Sequence, residues 1–176
     1  MNATLMMENV VAENIMNKKW YEIYEKNKYL DTIFDQKYSN TEDYFKKNCI
    51  EFLVELGEFV NETKCFKYWS VKKPKMDEVL EEFADSITML LFFFNKSNLD
   101  LENLPKHIDN NNKLDVINYI YLLGTDLILN YNSDLLKSIL SNLIYLGNLF
   151  ELNEDDIINA IKNKHKVIEE RLNSEY

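Results

Sequence analysis

The chain has 176 residues, of which 46% are hydrophobic and 28% are charged, and it contains three glycines and two prolines. A β-sandwich, barrel or doubly wound sheet uses Gly and Pro for many turns, spaced about 8–12 residues apart. The composition therefore predicts a few long helices in one domain, residues 1–176. A formal net charge of −10 lacks the surplus of Lys and Arg that a phosphate-backbone binder needs, so we expect no nucleic-acid partner.

Six segments show helical spacing of apolar residues, which predicts an all-α fold, a bundle of about five or six helices. Ser39 is followed by Glu42 in the spacing of a capping box at the start of the second segment. Pro74 excludes a continuous helix through residues 65–75, so this segment is predicted to be a loop. A second connection is predicted over 97–112. The predicted helices are 4–37 with a break before Trp20, 41–64, 77–96, 114–129, 133–152, and a last helix from an Asn153 cap to 172.

The sequence also gives expectations about membrane association and cellular location. The longest apolar run, 87–94, is far shorter than the ~20 residues of a membrane-spanning helix, so we expect no membrane partner. Two cysteines, Cys49 and Cys65, are too few for a disulfide framework. Together with the lack of a signal-peptide pattern, they predict a cytoplasmic protein with inert, reduced thiols.

Acidic residues form stripes on two consecutive predicted helices. Glu51, Glu55, Glu58 and Glu62 are spaced by four, three and four residues, so they share one helical face. Like charges at this spacing destabilise a helix by roughly 0.2–0.5 kcal/mol per pair, and no basic residue on that face compensates them. The next helix repeats the pattern, with Glu78, Glu82 and Asp85 spaced by four and three residues.

Two facing acidic stripes would repel each other unless cations lay between them. Hard divalent cations prefer oxygen ligands, whereas zinc would call for the Cys or His that both stripes lack. Gly57, in the middle of the helix beside the acids, would let a backbone or a ligand approach closely. The alternative interpretation is that each stripe is a solvated face. The intact apolar face on both helices favours a metal site.

Four short motifs carry a resemblance to a known superfamily. They are Glu55-Leu56-Gly57-Glu58, Asn61-Glu62, Phe66-Lys67-Tyr68-Trp69-Ser70 and Glu82-Phe83-Ala84-Asp85. Together they resemble the all-α NTP pyrophosphatases, which include the dimeric dUTPases and MazG. The aromatic-Lys-aromatic-Trp-Ser segment is most similar to the dimeric dUTPase branch.

The resemblance implies hydrolysis of dUTP, and of dUDP, to dUMP with Mg2+ or Mn2+ as the cofactor. It assigns the metal ligands to Glu55, Glu58, Glu82 and Asp85. Phosphoryl chemistry needs charge neutralisation and an activated water, and Glu55 is the candidate catalytic base that takes the proton of that water. The remaining acids of the stripes are expected to support the ligands, namely Glu62 and Glu78.

Substrate contacts are implied outside the acidic stripes. Asn27 to Asp31 lies where the branch has Q-x-x-L-D, and Lys164-His165 with Arg171 resembles its K-[NH]-x-x-N-x-x-R stretch. Asn27 replaces the Gln of that pattern and Ile168 replaces its second Asn. The candidate substrate-binding residues are therefore Asn27, Asp31, Lys67, Trp69, Lys164, His165 and Arg171. Purely structural roles remain open for Asn27 and Asp31 as hydrogen-bonding residues, Trp69 as a core cap and His165 as a surface residue.

Two alternatives to a dUTP pyrophosphatase remain open. The departures at Asn27 and Ile168 would also suit a pyrophosphatase for another deoxynucleotide. A non-catalytic helical binding module on the same scaffold is the second alternative, although four uncompensated carboxylates argue against it. The apolar segment 114–152 is richer in Leu, Ile and Tyr than one side of a small bundle needs, which predicts a homodimer, as the resemblance does.

Overall fold

The computed structural model describes residues 17–174, and six α-helices account for most of that range. The all-α prediction is confirmed. Of the first predicted helix, residues 4–16 lie outside the described residues. The helices are α1 (Lys18–Tyr38), α2 (Tyr44–Thr63), α3 (Met76–Lys96), α4 (Lys113–Leu129), α5 (Ser133–Leu149) and α6 (Glu154–Asn173).

Helix α3 is the centre of the bundle, because it packs against α1, α2, α5 and α6. Nearly all of its side chains from Phe83 to Phe94 are buried, the polar Asp85, Ser86 and Thr88 among them, as expected for a helix with neighbours on most sides. Helix α2 runs antiparallel to it, since Phe45 packs on Phe93 at one end and Phe59 packs on Phe83 at the other. This pairing brings the two acidic stripes side by side.

The predicted start of α2 is wrong by three residues. Ser39 ends α1, where its N–H donates to the carbonyl of Asp35, so it is not available as the N-cap of the next helix. A turn follows, and α2 begins at Tyr44 after Asp43, whose backbone is left-handed with φ 54° and whose side chain makes no capping bond. The Ser39–Glu42 capping box is therefore absent. The Asn153 cap of α6 is confirmed by its bond to the Asp155 N–H at 2.8 Å.

The expectation about Gly57 is corrected by its surroundings. The group beside it is the side chain of Tyr121 on α4, and a Cβ at Gly57 would lie 3.1 Å from the Tyr121 hydroxyl oxygen. Gly57 therefore accommodates a neighbouring helix, not a ligand or a backbone.

Among the helices of residues 17–174, none combines the length and the apolar character that crossing a bilayer requires. Both thiols are free; Cys49 is buried in the core and Cys65 is partly buried.

Candidate active site

Three acidic side chains of α2 and α3 converge. Glu55, Glu82 and Asp85, hereafter the carboxylate trio, each offer one oxygen, and the three oxygens lie within 4.8 Å of one another. Asp85 is buried, and its Oδ1 has no hydrogen-bond partner among the described residues. A buried carboxylate oxygen without a partner is unfavourable unless a ligand satisfies it. The donor set and this oxygen fit a hard divalent cation.

The trio is electrostatically unfavourable by itself. Burial, followed by the charge of Asp85, raises the pKa of Glu55 to about 7. Burial, followed by the charges of Asp85 and Glu58, raises the pKa of Glu82 to about 7. Burial also raises the pKa of Asp85, although the Lys164 ammonium opposes the shift. Each shift arises because a negative charge is held away from water and close to like charges.

A basic residue from the far end of the chain compensates part of this charge. Lys164 on α6 forms an ion pair with Asp85, because α6 packs along α3. The expectation that the acids lack compensation is therefore wrong for Asp85. It is also wrong for Glu62, which pairs with Lys64 at 2.9 Å, and in the second stripe Glu78 pairs with Lys75 at 2.6 Å.

The other acids of the stripes lie around the trio. Glu58 is exposed and is not one of the three converging residues, but it is near enough for its charge to raise the pKa of both Glu55 and Glu82. Its role as a metal ligand stays a prediction. Glu62 and Glu78 contact lysines and each other, so their supporting role also stays a prediction.

A cavity of about 550 Å3 adjoins the trio, between α1, α2, α3 and α6. We call it the four-helix cavity. Glu55 and Asp85 lie on its wall, and the helices around it contribute both polar and apolar side chains. Its lining is Asn27, Leu30, Asp31, Phe34, Tyr38, Asn48, Glu51, Glu55, Asp85, Thr88, Met89, Phe92, Lys164, Ile168, Arg171 and Leu172.

A hydrogen-bonded network lies at the α1 side of this cavity. Asn27 donates to Asp31 at 2.9 Å, and its Oδ1 is 3.0 Å from Nε2 of His165. Asn95 on α3 also donates to Asp31. Burial raises the pKa of Asp31 to about 6, so this carboxyl is mainly ionised at pH 7. The network is held by helices that are distant in sequence.

His165 is buried, so the surface interpretation of this residue is wrong. Burial lowers its pKa to about 4, which leaves the imidazole neutral at pH 7. A neutral ring cannot attract a phosphate by charge. The structure places His165 behind Asn27, and a direct contact with substrate stays a prediction.

The aromatic loop between α2 and α3 lies apart from the four-helix cavity. Trp69 is 64% exposed and packs edge-on against Phe66 and Tyr68. Lys67 donates to Asn61. The structure does not bring Lys67 or Trp69 to the cavity, and their roles in substrate binding stay predictions.

Two polar cavity residues of α2 were not among the predicted site residues. Asn48 and Glu51 line the four-helix cavity with Glu55, at intervals of three and four residues along α2. This spacing places all three on one helical face. The acidic stripe already contained Glu51, but Asn48 lacked a charge and was missed, although the helical periodicity could have found it.

Comparison with protein families decides the class of activity. The dUTPase family model matches residues 19–176. The chain belongs to the dUTPase family. No curated protein sequence matches the chain. Membership implies a phosphoanhydride hydrolase with a dUTP substrate, which favours the enzyme over the non-catalytic helical module. The carboxylate trio is consistent with the divalent-metal dependence that is general in this family.

Proposed function

We propose that this protein, as one domain spanning residues 1–176, hydrolyses dUTP and dUDP to dUMP with Mg2+, and that Mn2+ substitutes for it. The observation that supports the proposal is the carboxylate trio beside a cavity large enough for a nucleoside. Triphosphate and trio are both negatively charged, so they can meet only with a cation between them. The chemistry that a divalent cation supplies is neutralisation of the phosphate oxygens and a lower pKa for a bound water.

The protein groups around the trio have separate roles in this proposal. Glu55, Glu82 and Asp85 hold the cation, and Glu58 completes the set from the exposed side. Glu55 is also the general base in this proposal, because its carboxylate oxygen lies at the point where a bound water would be activated and can take the proton of that water.

Positive charge for the substrate phosphates comes from α6. Lys164 and Arg171 lie on the wall of the four-helix cavity, one on each side of Ile168. Lys164 pairs with Asp85. When a phosphate arrives, the Lys164 ammonium can turn toward it and free the Asp85 carboxylate for the cation.

The rest of the cavity suits a nucleoside. Phe34, Met89 and Phe92 supply apolar and aromatic surface against which a base can pack. Asn27 and Asp31 supply polar groups in the same wall. A mostly apolar cavity with a few convergent polar groups is typical of small-molecule sites.

We also propose a homodimer, supported by the outward face of α4. Leu114, Leu122 and Leu129 are exposed there, at 48%, 61% and 78% of their surface. By contrast, α5 is mostly buried in the core of its own chain, so the exposed apolar surface that supports a dimer lies mainly on α4. Light scattering at micromolar protein tests this. A dimeric mass for the natural chain and a monomeric mass for Leu122→Lys are expected, and a monomeric natural chain contradicts the proposal.

The decisive experiment is product release from a panel of nucleotides. Pyrophosphate from dUTP and phosphate from dUDP are measured with Mg2+, with Mn2+ and with EDTA. The proposal expects turnover with either metal, none with EDTA, and dUTP ahead of dTTP and dCTP. Equal turnover with EDTA would refute the metal role, and a better substrate among the other deoxynucleotides would favour the alternative that Asn27 and Ile168 raised.

A further inference from the structure

We propose that Asn48 is a specificity-determining residue: its side-chain oxygen accepts a hydrogen bond from N3–H of uracil, while Asn27 donates to a uracil carbonyl. The inference rests on the proposed function and adds to it a residue for base selection. Asn48 lies on α2, in the wall of the four-helix cavity, and only 5% of its surface is exposed.

The orientation of the Asn48 amide follows from its contacts. Its Nδ2 donates to the main-chain carbonyl of Tyr44 at 2.7 Å. A carbonyl oxygen can only accept, so the amide nitrogen must face Tyr44 and the amide oxygen must face away. Within residues 17–174, no hydrogen bond is made by Asn48 Oδ1. Asn48 therefore offers the cavity an acceptor.

The orientation of the Asn27 amide also follows from its contacts. An ionised carboxylate only accepts, so the nitrogen of Asn27 must face Asp31 and its Oδ1 must face His165. The neutral His165 ring then carries its proton on Nε2 and donates it to Asn27. One N–H of the Asn27 amide remains after the bond to Asp31. Asn27 therefore offers the cavity a donor.

The position of Asn48 along α2 indicates that its side-chain oxygen faces the base of the nucleotide. Asn48 and Glu55 are seven residues apart on one face, which is about 10 Å along the helix axis. If the phosphates lie at the carboxylate trio, the nucleoside extends along α2 toward Asn48. Uracil presents a donor at N3 between two carbonyl oxygens, and cytosine presents an acceptor at N3. An acceptor facing N3 therefore favours uracil and repels cytosine.

The test is the ratio of kcat/KM for dUTP to that for dCTP in the natural enzyme, Asn48→Leu and Asn48→Ser. Leu has a similar size but no polar atom. Ser can still donate to the Tyr44 carbonyl one turn earlier, as hydroxyls in helices do, but it is too short to reach the base. Asn148→Leu, an exposed position on α5, is the control. Circular dichroism and melting temperature establish that each variant folds.

We expect both Asn48 variants to lower the ratio by about 10-fold or more, the effect of one lost hydrogen bond with the repulsion of cytosine removed. A ratio within threefold of the natural value in Asn48→Leu overturns the proposal. The proposal is also overturned if the ratio falls in Asn48→Leu but keeps its natural value in Asn48→Ser. Loss of the hydrogen bond to the Tyr44 carbonyl would then explain the fall in Asn48→Leu. If Asn48→Leu does not fold, the ratio measured for Asn48→Ser by itself decides whether the proposal holds. Failure of the proposed function shows differently, as an absence of metal-dependent dUTP turnover in the natural enzyme.

Discussion

The carboxylate trio and the Asn27 network lie at the same cavity but differ in how their polar groups are satisfied. The Asn27 amide has partners on both sides, Asp31 of its own helix and His165 of α6, although Oδ1 of Asn95 in the same network has no partner among the described residues. At the trio, three acids share one lysine, and a buried oxygen of Asp85 has no partner among the described residues. The first region is ordered before substrate binds. The second holds like charges close together and away from water, which costs stability.

Glu82→Gln tests the trio most directly and has the largest expected effect. Unlike Asp85, Glu82 has no ion pair among the described residues, so neutralising it removes repulsion without breaking a contact. We expect activity with Mg2+ to fall more than ~100-fold, since a metal ligand is lost. The metal-free protein should gain about 1 kcal/mol in its free energy of unfolding, a modest value because the side chain is only half-buried.

The measurements for Glu82→Gln are kcat/KM for dUTP and urea unfolding in EDTA. Glu81→Gln is the matched control, an exposed acid one position earlier on α3. It should keep its activity within a few fold. Activity near the natural value in Glu82→Gln would remove Glu82 from the ligand set.

His165→Gln tests the ordered region through pH. The pKa of His165 is about 4 when folded and 6.5 when exposed, so below pH 6.5 the unfolded chain takes up a proton that the folded chain does not. The resulting stability is complete above pH 6.5 and is lost as the pH falls toward 4, by up to about 3 kcal/mol. Gln can still donate to Asn27, but it does not titrate, so the variant should lose this acid sensitivity.

Unfolding free energies at pH 7.5, 6 and 5 give the comparison. Asp31 acts with the opposite sign, because its folded pKa of about 6 lies above 3.8 and it stabilises the fold as the pH falls. It is present in both proteins, so subtraction removes most of its effect. His107→Gln is the control for the loss of a histidine outside the four-helix cavity. Parallel profiles for His165→Gln and the natural protein would contradict a buried, neutral His165.

Mg2+ alone should stabilise the region that the acids destabilise. A cation that binds only the folded chain adds about 2.7 kcal/mol at 100 times its Kd, or roughly 5–10 °C in melting temperature for a protein of this size. Melting curves of EDTA-treated protein with and without Mg2+ measure this. Glu82→Gln should show a smaller shift. No shift in the natural protein would mean that the trio does not bind the ion without nucleotide.

Asn27→Ala has the smallest expected effect and is confined to the ordered region. Removing the donor should lower the ratio of kcat/KM for dUTP to that for dCTP about 10-fold, and it should leave the response to Mg2+ unchanged. Asn163→Ala, an exposed position on α6, serves as the control. Unchanged ratios would exclude Asn27 as a base-reading residue.

Much of the fold was predictable from local pattern. Apolar periodicity and scarce Gly and Pro predicted the helices, with most ends within a few residues, and the spacing of the acids predicted which of them share a face. These properties depend on residues three or four positions apart, whose geometry the helix itself determines. The capping box failed because Ser39 suits the end of one helix as well as the start of the next.

The candidate site depended on long-range packing. Lys164 meets Asp85, and His165 meets Asn27, across separations of 79 and 138 residues. Helix packing also buries His165, which makes its imidazole neutral, and leaves Trp69 exposed. Both residues occur in motifs that imply substrate contact. The sequence alone determined the all-α class, the acidic stripes and the family signature. Only the tertiary structure decided which acids converge, which lysine compensates them and that Asn48 lines the cavity, because helix packing sets the distances, burial and local charge.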